Sequence, residues 1–420
     1  MKVPLLSLAG LMGFAMWPAH ADPLCPAFAE LRMLAEMNSP TVAISRSETA
    51  LARAERDEEG AAFKPYVSTF IKSRAGDQGL STNQIENQVG LQVGQRLYDF
   101  GKTSLRQRAA SEEVLRSEAR LQGVTLESQL DVEAAYVEAA GEAIMLARLE
   151  EEEAYLSDLS KRLNSPALTS QVTISEQAEV NSRLADVRAR QAVAFTRRED
   201  ALLNIELQTG QKVTETCTLT ELSRDVLLPE DFSFDLDEII AAALNGDPAV
   251  QEADRAVGRV EAEQDLTRRQ RLPDIDLVGT LSYVHLDNSR EDWEYRDSLG
   301  ISFSVPLYVG GSLNAQTRQA TARAGRARAE RDRLTRQLEQ EIRSLARTYL
   351  SLQAQVNARR SAVGFKREQV ASMEAAFAEG LQALRELVEA REELAEQQRF
   401  FDRALIDLHL TAVKFRRFLE

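Results

Sequence analysis

Leu299-Gly300-Ile301-Ser302-Phe303-Ser304-Val305-Pro306-Leu307-Tyr308-Val309-Gly310-Gly311 decides the fold. Leu299, Ile301, Phe303 and Val305 alternate with Gly300, Ser302 and Ser304, the period of a strand with one apolar face. A tract without proline, 312–379, follows the two glycines. The same phrase occurs earlier: Val89, Leu91 and Val93 alternate with Gln88, Gly90, Gln92 and Gly94. Arg96-Leu97-Tyr98-Asp99-Phe100-Gly101 closes that run, and 102–163 again lacks proline. Upstream, Asn38-Ser39-Pro40-Thr41-Val42 returns about 208 residues later as Gly246-Asp247-Pro248-Ala249-Val250. A repeat this long is a duplicated module of helix, two strands and long helix, not a short-unit solenoid.

The repeats are 22–217 and 218–420, and each carries a β-hairpin, at 65–97 and 273–308. In the first, Lys64-Pro65 ends a helix because proline disfavours helix in the residue before it. Strands then run over 66–74 and 87–97, around the turn Gly76-Asp77-Gln78-Gly79. In the second, Ile275, Leu277, Leu281 and Tyr283 alternate with Asp276, Thr280 and Ser282. This pattern fits a membrane barrel strand, lipid-out and water-in. It also fits a half-buried strand of a soluble sheet. Four such segments, paired as hairpins, favour the barrel.

Residues 1–21 read as a secretory signal: Lys2, an apolar core from Leu5 to Trp17, and Ala19-His20-Ala21 as a small-x-small cleavage site. No later stretch is apolar for the roughly 18 residues that a membrane helix needs. Membrane insertion must then use strands closed on themselves, since lipid leaves backbone groups no other partner. The net charge of −15 argues against nucleic acid as a partner. Two cysteines, Cys25 and Cys217, occupy matching positions in the duplication. An oxidising compartment favours a bridge between them; two unpaired buried thiols are the alternative.

The proline-free tracts span roughly 90–100 Å as helices, which implies coiled-coil packing. Breaks at Asn164-Ser165-Pro166 and at Gly380 fold each tract into a hairpin with a second helix, 174–208 and 381–418. The fold class is thus mainly α with β: long helical hairpins standing under four strands per chain. Four strands cannot close a membrane barrel, because single-chain barrels start at eight. Several copies must combine, and the coiled-coil stalks then extend the barrel into a tube.

At this point the chain resembles the TolC family of outer-membrane efflux and secretion channels. The tandem repeat, the two Leu-Tyr-x-x-Gly strand ends and Phe377-Ala378-Glu379-Gly380 carry the resemblance across the whole mature chain. It implies a homotrimer with a twelve-stranded barrel in outer-membrane lipid, above an α-helical barrel in the periplasm. It implies docking to a periplasmic membrane-fusion adaptor and an inner-membrane transporter of ABC, RND or MFS type. It makes Gly380 the tip turn and places Glu386 and Glu389 in an acidic ring at the periplasmic entrance, where the family typically has aspartates. Ordinary surface glutamates are the other reading of that pair. The first tip, 164–171, is longer than the family's glycine-containing turn, and Gln382 stands where some members have arginine.

No catalytic residue, cofactor or metal site is expected. His285 and His409 lie far apart, without Cys, Asp or Glu at ligand spacing, and no phosphate loop, GxSxG, HExxH or dinucleotide pattern occurs. Arg318, Arg323, Arg326, Arg328, Arg331, Arg333 and Arg336 read as a solvated face with i,i+4 partners such as Glu330 and Glu339. Glu150 to Glu153 read as solvated surface. The competing function is a periplasmic coiled-coil adaptor whose strands form a soluble sheet.

Overall fold

The computed structural model describes residues 26–76, 84–163, 173–227, 235–286, 293–379, 381 and 383–418. The signal segment 1–21, Cys25, the first tip, Gly380 and Gln382 lie outside the described residues. Two short helices, α1 (Pro26–Asn38) and α2 (Pro40–Gly60), lead through a 3-10 turn into β1 (Tyr66–Gly76) and β2 (Gln84–Tyr98). Then come α3 (Lys102–Leu163) and α4 (Ile174–Thr209). The order recurs with α5 (Leu219–Val226), α6 (Leu236–Gly246), α7 (Pro248–Arg269), β3 (Asp274–Leu286), β4 (Glu294–Ser304), α8 (Ser312–Ala378) and α9 (Leu384–Arg416). The proline at the first position of both α2 and α7 fits a helix start, where its missing N–H costs nothing.

The long helices pack as coiled coils. Leu149, Leu156 and Leu163 of α3 are buried against Val180, Val187 and Ala194 of α4, both sets at intervals of seven. Tyr349, Val356, Val363 and Val370 give α8 the same interval. Each such leucine or valine contributes about 1.5–3 kcal/mol on burial. A wider core surrounds Tyr136, where the Tyr136 hydroxyl accepts from the Cys217 backbone N–H at 2.9 Å. Cys217 is disulfide-bonded. His409 is fully buried there, and its Nδ1–H donates to the Leu405 carbonyl at 2.7 Å.

The four strands form one antiparallel sheet in sequence order, so β1 and β4 are its edges. The helices below keep a matching order: α2 packs on α3, α3 on α7 and α7 on α8. The strand-to-helix corners explain the repeated Tyr-x-x-Gly phrase. Gly310 and Gly311 both have positive φ (63° and 80°), and Phe100 and Gly101 repeat this at 56° and 80°. Two successive left-handed residues reverse the chain from strand into helix, a conformation that glycine adopts freely. In the first corner Asp99 holds the turn, accepting from the N–H groups of Gly101 (3.0 Å) and Thr103 (2.6 Å). Lys102 ties the same corner to β3 through Asp274 at 3.0 Å.

The basic stretch on α8 is partly as expected. Arg326 pairs with Glu330 at 2.8 Å, but Arg328 and Arg331 reach across to Glu261 and Asp254 of α7. Glu339 pairs with Arg343, four residues ahead.

Candidate functional site

The register sorts the sheet into two faces. Rows Val67–Val93–Gly279–Leu299 and Ile71–Val89–Tyr283–Tyr295 lie on one face. Rows Ser68–Gln92–Thr280–Ser298 and Phe70–Gly90–Ser282–Arg296 lie on the other. Ile71 is 83% exposed, Leu299 78% and Ile301 69%, so the apolar face has no protein cover within the chain. At one end of that face Tyr283 meets Tyr295 edge to face at 5.5 Å, and His285 stands 5.5 Å from Trp293. At the other end lies Phe303, opposite Ile275. An apolar band bounded by aromatic rings is the outer surface of a membrane β-barrel. Among the described residues, no helix is long and apolar enough to cross a membrane.

Sequence reading missed two features of this sheet. Tyr66 and Phe70 lie on the polar face, in register with Gly94 and Gly90; the Tyr66 ring fills the space a Cβ on Gly94 would take, and at Gly90 the Leu281 carbonyl and Ser282 fill it with the Phe70 ring beside them. Asp297 belongs to the apolar face, in the row Thr69–Leu91–Leu281–Asp297.

The far end of α8 and α9 carries the proposed entrance residues. Leu381 N–H donates to the Ala376 carbonyl at 2.9 Å, closing the end of α8. Glu386 and Glu389 are both exposed, one helical turn apart near the start of α9. Glu386 is in the first turn, where the helix dipole favours a carboxylate. Glu389 is not free: it accepts from Arg385 Nε at 2.9 Å, and that bond raises the Arg385 pKa.

Behind these glutamates a charged network ties the two hairpins together. Arg183 of α4 reaches Glu392 at 2.6 Å and donates to the Val388 carbonyl at 3.1 Å, both on α9. Arg148 of α3 forks onto Asp402 of α9. Arg391 binds Glu374 and stacks 3.8 Å over the Tyr155 ring. Glu152 faces Arg399 at 3.5 Å, so the reading of Glu150 to Glu153 as solvated surface holds for the exposed Glu150 and Glu151 and is corrected at Glu152. Burial raises the Glu152 pKa, with Arg399 and Arg190 opposing. Burial also raises that of Asp402 against Arg148, and it lowers that of Arg399. Of these, Arg148, Glu152, Arg183, Arg391, Glu392 and Arg399 line a cleft of about 170 Å³. They were invisible in sequence because partners such as Arg148 and Asp402 lie 254 residues apart. Among the described residues, no cluster of His, Cys, Asp or Glu could hold a metal ion.

An apolar-faced sheet with two open edges, set on long coiled helices, defines an exit duct of the outer membrane. A family profile described as outer membrane efflux protein matches residues 31–162 and 239–407, and the chain belongs to that family. It is 32% identical to the proteases secretion protein PrtF of Dickeya chrysanthemi over 182 residues, which cover 40% of this chain and 38% of that protein. It is 22% identical to the outer membrane protein TolC of Salmonella enteritidis, over 94% of this chain and 82% of that one. A membrane protein structure from Pseudomonas aeruginosa superposes with a TM-score of 0.81 at 17% identity, covering 99% of this chain and 100% of that one.

Proposed function

We propose that three copies of this chain close a twelve-stranded barrel and form the passive duct of a tripartite efflux pump or type I secretion system. The observation that carries this reading is the sheet: four strands, an uncovered apolar face and two unpaired edges. An apolar face this exposed is ill suited to water, and in lipid, where unpaired backbone groups find no partner, only closure removes both edges. A soluble adaptor has no use for such a face.

In this reading residues 1–21 direct export and are removed, and repeats 22–217 and 218–420 each supply half of one subunit's wall. The chain is not an enzyme. Transport energy comes from an inner-membrane transporter of ABC, RND or MFS type, reached through a periplasmic adaptor at the tips. Cys25 is the other cysteine in the sequence and the partner we assign to Cys217; two titratable thiols in the unreduced protein would contradict the bridge.

In this reading Glu386 and Glu389 from three copies line the entrance. Six carboxylates in a narrow mouth attract cations, with three Arg385 side chains offsetting part of the charge. Planar-bilayer recordings of E386A/E389A test this. Cation preference and block by divalent cations should both fall, and R385Q should strengthen both. Unchanged selectivity in E386A/E389A would remove the ring.

A further inference from the structure

The face of the sheet turned away from lipid is not uniformly polar. β1 presents Tyr66, Ser68, Phe70, Lys72 and Arg74 on it, every second residue. Across from Tyr66 and Ser68 the wall is small and uncharged. Gly94, Val278 and Gly300 continue the first row, and Gln92, Thr280 and Ser298 the second. Farther from the helices the character changes. Phe70 shares a row with Gly90, Ser282 and Arg296, and Lys72 shares the next with Gln88, Val284 and Glu294. Phe70, Lys72, Gln88, Ser282 and Arg296 line a hollow of about 420 Å³, which Asp297 of the apolar face also borders.

One cation in that hollow is uncommitted. The Lys72 ammonium stands 4.5 Å from the centroid of the Phe70 ring, whose tip lies over Gly90. Beneath them Gln88 Nε2 donates to the hydroxyl of the buried Ser282 at 3.0 Å, which fixes the floor. The carboxylates nearby have basic neighbours of their own: Glu294 pairs with Arg296 at 2.9 Å, and Glu86 is opposite Arg74 in the register. Lys72 is exposed and has no acidic partner among the described residues. Its contact with the ring leaves N–H donors for an anion.

We propose that each hollow is a transit site for organic anions that carry an aromatic ring: the carboxylate or sulfonate pairs with Lys72, and the ring packs on Phe70. The inference rests on closure of the barrel by three copies, which sets three such hollows around the lumen at one height. The two contacts select together. An aliphatic anion meets the ammonium alone, whereas an aromatic cation meets the ring but is repelled by Lys72. The attraction is weak by construction, because an exposed ion pair contributes little. A duct needs that weakness, since cargo must leave the site as readily as it enters. The sign is opposite to that of Glu386 and Glu389 near the far end of the helices, so anions and cations meet their sites at opposite ends.

The test is block of the full mature protein in planar bilayers by naphthoate, added at the hairpin end of the barrel. K72Q and F70L are each expected to raise the half-blocking concentration about fivefold, while K72R stays near wild type. Acetate should not block, and naphthylmethylammonium should block K72Q no less than wild type. Each variant is first checked for heat-resistant trimer; should F70L fail to assemble, K72Q against K72R decides alone. Equal half-block in wild type and K72Q would overturn the site, as would acetate that blocks as well as naphthoate. Wild-type conductance steps that naphthoate leaves untouched would remove the site and leave the duct standing. A wild-type protein without steps would instead overturn the duct reading on which the site rests.

Discussion

Asp99 shows how a single residue turns a strand into a helix. Its carboxylate accepts two backbone N–H bonds at the start of α3, while Phe100 and Gly101 hold left-handed backbone. Burial opposes its charge, but the bonds from Thr103 and Gly101, with Arg96 nearby, hold its pKa below the ordinary value. D99A should therefore lower stability by about 1–2 kcal/mol, read as a drop in thermal midpoint near neutral pH. A depressed carboxylate contributes stability above its unfolded value and loses it as pH falls through the folded value. The gap between wild type and D99A should thus close in strong acid. Asp402 and Glu152 have the opposite sign: burial raises both, so their contribution is fullest below the ordinary carboxylate range and declines as pH rises. The repeated Tyr-x-x-Gly phrase was legible in sequence. The need for two left-handed residues was not, because phenylalanine occupies one of the positions.

At the scale of elements, the sequence spoke most clearly where a pattern was long. The helix from Lys102 to Leu163 has the bounds that the proline-free tract predicts, and seven-residue burial confirms the coiled-coil reading. The alternation in β2, β3 and β4 matches the two faces of the sheet. The role of Gly90 and Gly94 was hidden, since a glycine in a strand does not announce which ring will cover it. Tyr66 lies across Gly94 so closely that any Cβ would strike its ring. G94V should therefore disrupt the β1–β2 hairpin and cut the yield of heat-resistant trimer in outer membranes. Y66A in the same chain should recover much of it. Equal yields for wild type and G94V would show that the ring does not depend on the glycine.

For the whole molecule, the decisive fact is incompleteness. One chain presents a sheet that cannot close and a helical layer with two open edges, and the duplication doubles a wall segment without completing it. That was legible from strand number and helix length. The ties between hairpins, Arg183 to Glu392 and Arg148 to Asp402, were not, because three-dimensional proximity sets them and sequence spacing does not. The most direct test of the duct is conductance of the purified wild-type protein in a planar bilayer, after extraction from the outer membrane. The account predicts discrete, ohmic conductance steps from a trimeric, membrane-extracted species. A soluble periplasmic monomer that produces no steps would contradict it.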